Sequence, residues 1–214
     1  MKNKAKFIVV EGLEGAGKST AINYIYDLLL ELGITNVQHT REPGGTLISE
    51  EIRRLFKKEF EGENLTAISE VLLIFSARSQ LIESVIRPCL NEGIWILADR
   101  HNLSTIAYQG GGRNIPIQEI KSIQRMVCKN LEPDLTIFLD VSPEIGLSRA
   151  RLRSKLDRIE KEDIKFFNKV RSTYRNEINE LNHDVILIDS NKELDIVKQE
   201  IKQKLFQWFK NTKG

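Results

Sequence analysis

The segment GLEGAGKS, Gly12 to Ser19, matches G-x-x-x-x-G-K-[ST] at every specified position, after a short apolar run and ahead of a helical one. Residues of these types at this spacing bind nucleotide phosphates. Glycines let the backbone of Gly12, Leu13, Glu14, Gly15, Ala16 and Gly17 curl so that its N–H groups face phosphate oxygens. Lys18 brings an ammonium to the β- and γ-phosphates of ATP, the Ser19 hydroxyl can hold Mg²⁺, and Thr20 closes the ATP-binding stretch. The loop interior offers no cation beyond Lys18, and Glu14 adds a negative charge that suits a hydroxyl better than a phosphate. Phosphoryl transfer needs positive charge on the equatorial oxygens, and an arginine supplying it is worth roughly 10³–10⁵ in rate.

A donor for that charge stands far along the chain. RARLRSKLDR, residues 149–158, carries five cationic side chains and one aspartate, in a protein with 32 Lys and Arg against 30 Asp and Glu. Arg151 and Arg153 are the candidate transition-state cations, with Arg149 and Arg158 in support. On a helix Arg149 and Arg153 share a face while Arg151 points nearly opposite, so the segment must bend or wrap to bring them to one ligand. A third group of interest is Asp99, placed to organise Mg²⁺ with Ser19. Arg100 follows it at the mouth where open α/β sheets bind ligands.

These groups converge only if strands aim them at one crevice. KFIVVEG (6–12), GIWILADR (93–100), LTIFLD (135–140) and VILID (185–189) read as strands, with VQHT a weaker one before the Pro43-Gly44-Gly45 turn. Helical patterns cover 18–32, 46–60, 66–90 with a break near Pro88, 116–130, 143 to about 153, 160–181 and 193–210. Unalternating apolar strands are buried on both faces, and helices between them are crossovers. The expected fold is α/β: a parallel sheet of the P-loop NTPase type, flanked by helices on both faces.

At 214 residues, without repeat or linker, the chain reads as a single domain, 1–214. Net charge +2 gives no protein-wide footprint for nucleic acid, and no segment suits a signal peptide or membrane span. The two cysteines, Cys89 and Cys128, read as packing residues of a reducing, cytoplasmic compartment. NKELD (191–195) has Leu194 where a guanine-specific aspartate belongs, which excludes a GTPase, and the chain is short for a helicase or motor.

EGLEGAGKST (11–20), TREPGGT (40–46), DRHNLSTIAYQGGGR (99–113), PDLTIFLDVSPEIGLSRAR (133–151) and LDRIE (156–160) together resemble bacterial-type thymidylate kinases, in order from residue 6 to about residue 190. The resemblance implies a nucleoside monophosphate kinase fold with a lid at about 148–160, ATP and Mg²⁺, phosphorylation of dTMP, and a homodimer acting on small-molecule nucleotides. Glu14 with RARLRSKLDR resembles the arrangement in which the lid, not the loop, supplies arginines. It assigns Glu14 to the 3′-hydroxyl, Arg78 and Thr105 to the thymine edge, Arg100 with Arg53 to the 5′-phosphate, and Tyr108 to the space a 2′-hydroxyl would need. Ser104 and Gln109 complete that wall. The chain departs from the family at Ile74, where a Phe usually stacks on thymine, and at Ser154, often Gly. Phe75, beside Ile74, is counted with it as a candidate dTMP contact, although about 100° of helix rotation means that it does not stack as the family Phe does. Weaker stacking predicts a raised KM, and Ile74 leaves dUMP or dGMP open as acceptors. An ATP-sensing or hydrolysing module and a nucleic-acid binder resting on 149–158 are the other readings the residues leave open.

Overall fold

The computed structural model describes residues 5–153 and 156–212. Its elements run β1 (Phe7–Gly12), α1 (Lys18–Glu31), β2 (Val37–Arg41), α2 (Leu47–Lys57), α3 (Ala67–Leu81), α4 (Arg87–Asn91), β3 (Trp95–Asp99), α5 (Asn102–Thr105), α6 (Ile117–Cys128), β4 (Leu135–Asp140), α7 (Pro143–Arg153), α8 (Ile164–Glu177), β5 (Asp184–Asp189) and α9 (Leu194–Thr212). The five strands are all parallel, in the order β2-β3-β1-β4-β5.

Alternate residues of β1 explain the two covered faces. Ile8 and Val10 enter the larger core with Ile25, Leu28 and Leu29 of α1 and Ile201 and Leu205 of α9. Phe7 and Val9 enter the opposite core with Leu81, Ile82, Ile86 and Cys128. Each such fully buried side chain contributes about 1.5–3 kcal/mol. From β1 the chain crosses to β2 and β3 on one side and to β4 and β5 on the other, so the C-terminal ends of β1 and β3 frame the switch-point crevice where ligands bind. Among the described residues no helix is long and apolar enough to cross a membrane.

Two helices differ from the sequence reading. The break placed near Pro88 falls earlier, as a widened π turn over Ile82–Ile86. Proline has no N–H for the carbonyl four residues back, and the preceding turn widens to absorb this. A second widened turn, Ile106–Gly112, continues α5 and was not anticipated, because Gly110, Gly111 and Gly112 interrupt any helical pattern. Those glycines admit α8: a Cβ at Gly111 would lie 2.1 Å from the Thr173 hydroxyl, and one at Gly112 would lie 2.4 Å from the Phe166 ring.

Close backbone approach also ties α7 to the phosphate loop. A Cβ at Gly15 would meet the Gly146 carbonyl at 1.9 Å, and one at Gly146 would meet the Glu14 carbonyl at 2.5 Å. Gly146 sits in a helix, where alanine is intrinsically better by roughly 0.5–1 kcal/mol. Gly146→Ala should nevertheless destabilise the protein by about 1–3 kcal/mol through the overpacked contact. Denaturant unfolding checks this; an unchanged or raised midpoint would sink the idea that α7 is seated on the phosphate loop.

Candidate active site

The phosphate loop leads from β1 into α1, whose N-cap is Gly17 at φ 86° with no side-chain cap. The first-turn N–H groups of this helix therefore remain available to an anion. Lys18 Nζ donates to the carbonyls of Gly12 (3.1 Å) and Leu13 (2.9 Å). Burial, with the nearby Arg100 charge, lowers its pKa to about 8. The Leu13 and Ala16 side chains are buried, so those positions offer a ligand only backbone.

A cavity of about 440 Å³ opens beside the loop, and Lys18, Ser19, Asp99, Arg53 and Arg100 all line its phosphate end. Asp99 Oδ1 is buried with no hydrogen-bond partner. With the Ser19 hydroxyl it offers the hard oxygen donors that Mg²⁺ prefers. Among the described residues no three acidic, His or Cys side chains cluster to hold a metal, so nucleotide phosphates and water would complete its shell.

Arg100 adopts φ 72°, a left-handed conformation that costs a non-glycine residue about 1–3 kcal/mol. The turn delivers its guanidinium to the centre of the crevice. Nη2 donates to Glu14 Oε1 (2.8 Å) and Nη1 to Ser104 Oγ (3.0 Å) and the Tyr174 hydroxyl (3.1 Å). Tyr108 lies beneath it with the ring centroid 5.0 Å from the guanidinium carbon, and its hydroxyl donates to Glu14. Arg53 Nη1 donates to the Pro43 carbonyl at 2.7 Å.

The other end of the cavity is built from α3 and the segment after β3. Arg78, 1 % exposed, donates from Nε to Glu42 (2.6 Å) and from Nη2 to Thr105 Oγ1 (2.9 Å) and the His101 carbonyl (3.1 Å). Its Nη1 is buried without a partner, as is Gln109 Oε1, and both residues line the cavity. Ile74 lines it too. Phe75 does not: it packs with Val71, Ile106 and Ile120 and lies under the Arg78 guanidinium at 4.7 Å. Helix rotation separates the neighbours, so the expected substrate contact from Phe75 becomes support for Arg78.

A second cavity, about 290 Å³, lies across the phosphate loop between Thr20, Arg149, Lys192 and Lys198. Arg149 donates to the Ser190 carbonyl (2.8 Å), and Ser190 Oγ donates to the Ala16 carbonyl (2.6 Å). Arg151 is exposed on α7. The Arg153 side chain and Ser154 lie outside the described residues. Arg158, expected to support the phosphate cations, instead points to the acceptor end. It donates to Glu70 (2.5 Å) and to the Phe56 carbonyl (3.2 and 3.1 Å). Lys57 pairs with Asp157 at 2.6 Å, and Asp157, Ile159 and Glu160 complete the cavity wall.

Sequence reasoning missed the buried carboxylates behind these groups. Glu11, inside an apolar strand, accepts from the backbone of His101 (2.8 Å) and Ser104 (3.2 Å) and from the Tyr174 hydroxyl (3.1 Å), and burial raises its pKa. A glutamate interrupting FIVVEG was the available signal. Glu70 carried the same signal, standing in the apolar stretch AISEVLLIF (67–75), whereas Glu42, between Arg41 and Pro43, gave none.

The thymidylate kinase family model matches residues 10–201. The chain is 47 % identical over 205 residues to the thymidylate kinase of Vibrio parahaemolyticus, covering 96 % of this chain and 97 % of that one. It is 49 % identical to that of Buchnera aphidicola, covering 96 % of each. The crystal structure of thymidylate kinase from Ehrlichia chaffeensis superposes with a TM-score of 0.74 at 30 % identity, over 94 % of this chain and 98 % of that one.

The Glu42 carboxylate compensates two buried cations, Arg78 and His101 (Nδ1 at 2.9 Å). Burial pushes the imidazole pKa down but the Glu42 charge outweighs it, giving about 9. A His pKa raised on folding stabilises fully below the unfolded value of about 6.5 and is lost as pH rises through about 9. Glu42→Gln should therefore cost about 3–5 kcal/mol near pH 6.5, and less near pH 10, where His101 is neutral in both proteins. Urea unfolding at the two pH values checks this, and an equal cost at both would contradict the charged pair.

Proposed function

The chain belongs to the thymidylate kinase family, enzymes that phosphorylate dTMP, and from that membership we propose that it transfers the γ-phosphoryl group of ATP to the 5′-phosphate of dTMP, giving dTDP for dTTP synthesis. The observation that carries the acceptor is the pair of unpartnered buried atoms at the base end, Arg78 Nη1 and Gln109 Oε1. With Gln109 read as facing the base and not the sugar wall where the resemblance put it, Arg78 as donor and Gln109 as acceptor would match the O4 and N3–H of thymine. Cytosine presents the reverse and would leave both protein groups unpaired, at about 1–3 kcal/mol each.

The remaining roles follow from position. Arg100 and Arg53 hold the 5′-phosphate of dTMP, Glu14 accepts from its 3′-hydroxyl, and the Tyr108 ring with Ser104 fills the space of a 2′-hydroxyl. An oxygen of that 5′-phosphate attacks the γ-phosphorus in line, the bond to the β-phosphate oxygen breaks, and ADP leaves. The backbone N–H groups of the loop and Lys18 follow the charge onto the β- and γ-oxygens. Ser19 and Asp99 would hold Mg²⁺, which when bound neutralises charge on those oxygens. Arg151 and Arg153 bring the remaining cations from the lid. Arg149 and Arg158 are spent on Ser190, Glu70 and Phe56, which removes the continuous basic face that nucleic-acid binding would need. Ile68, Leu72 and Met126 stand exposed along α3 and α6, which suits the homodimer that the family resemblance implies. Two free cysteines suit the cytoplasm.

Measuring ADP formation from ATP and Mg²⁺ with dTMP, dUMP, dGMP, dCMP or no acceptor tests the reading. Stimulation should be greatest with dTMP; ATP turnover indifferent to acceptor would replace it with a nucleotide-gated module. Ile74→Phe should lower the KM for dTMP about tenfold, within the roughly 1–3 kcal/mol of base–aromatic stacking. A KM unchanged or raised would mean the aliphatic side chain already packs the base as well as a ring can.

A further inference from the structure

Gln109 can serve the base only if its amide points the right way, and its own chemistry does not decide that. An amide presents an acceptor on one side and two donors on the other, and exchanging them reverses what the cavity offers a ligand. What lies behind Gln109 is Glu70 of α3, fully buried. Gln109 Nε2 donates to Glu70 Oε2 at 3.0 Å. The same carboxylate accepts from Arg113 Nε at 3.2 Å on both oxygens and Nη2 at 3.1 Å, and from Arg158 Nη1 at 2.5 Å. Both oxygens of this carboxylate already accept from guanidinium donors, so it meets the Gln109 amide as an acceptor. Turning the amide over would set one acceptor oxygen against another.

We infer that Glu70 is a specificity-determining positioning residue: it fixes the polarity of the Gln109 amide, so that the cavity presents an acceptor, and not a donor, beside the Arg78 donor. The inference rests on the reading of this cavity as the dTMP site. It also gives Arg158 a role away from the phosphates. Arg158 lies within the LDRIE segment, so the placement of residues 156–160 and the orientation of the base reader depend on one carboxylate. Arg113 links the same carboxylate to Glu162 at 2.6 Å, extending the tie past the end of that segment. Glu70 touches no part of the space a ligand would occupy: it does not line the cavity.

The test is a double-mutant cycle on kcat/KM for dTMP with Gln109→Ala and Glu70→Gln. Glutamine at 70 keeps the shape but can face Gln109 with either end of its amide. In the otherwise wild-type enzyme Gln109→Ala should lower kcat/KM about tenfold, through KM, as expected for a buried donor left unpaired. In the Glu70→Gln background the same substitution should cost under about threefold, because Gln109 is no longer held one way round. Equal costs in the two backgrounds would overturn the inference, since a merely structural Glu70 lowers activity without changing the effect of Gln109. Absence of dTMP turnover in the wild type would instead remove the function reading, and the inference with it. A wild type that turns over dTMP but ignores Gln109→Ala would remove the assignment of Gln109 alone. Should Glu70→Gln fail to fold, a neutron crystal structure of the wild-type enzyme with dTMP, in which the amide hydrogens are seen directly, decides. Gln109 Oε1 on the thymine N3 with Nε2 on Glu70 supports the inference, and the reversed amide ends it.

Discussion

A carboxylate in the phosphate loop is the constraint on which the rest of the site depends. Glu14 binds Arg100 at 2.8 Å and accepts from Tyr108, so the loop that cradles the donor also holds the floor of the acceptor pocket. The pair is only 15 % exposed on each side, where an unpaired charge would be costly and a paired one is tightly oriented. One consequence is that donor and acceptor sites cannot shift independently. The other is that the loop cannot supply a second cation, because the position nearest the transferring group carries the wrong sign. Under the proposed function the positive charge comes from Arg151 and Arg153, and α7, which carries both, is seated by backbone contact on Gly15.

Recognition in the acceptor pocket follows one pattern repeated. Three of the groups assigned to the ligand contact a buried carboxylate: Ser104 meets Glu11, Arg78 meets Glu42 and Gln109 meets Glu70. Burying three carboxylates is expensive unless every one is paired or hydrogen-bonded, and here each is. The return is preorganisation. Arg78 has three of its donor positions committed to protein and Nη1 left without a partner, so the guanidinium is already held in place when a base arrives.

The sheet and the phosphate loop were legible because their signals are local. Short apolar runs such as LTIFLD, bounded by Pro133 and Pro143, read as buried strands, and the spacing of GLEGAGKS is a geometric requirement in itself. What was not legible depends on contacts distant in sequence. The widened turn after α5 exists because three glycines let α8 approach, and nothing within IAYQGGG announces Thr173 and Phe166. Arg158 shared a charge run with Arg151, yet Arg151 lies on α7 and Arg158 beyond its end, and Glu70 lies 88 residues away. Ile74 and Phe75 were separable in advance by helix rotation alone, and the structure places them on the two sides that rotation implies.

The central claim is that the lid supplies the charge the loop lacks. Its most direct test is kcat at saturating ATP and dTMP for Arg151→Met, Arg153→Met and the double variant. Loss of at least about 10³ in kcat for the double variant, with KM values changed only a few-fold, is what the account predicts, because the lost interaction exists mainly in the transition state. A double variant that keeps kcat within about tenfold of wild type would mean the charge comes from another source.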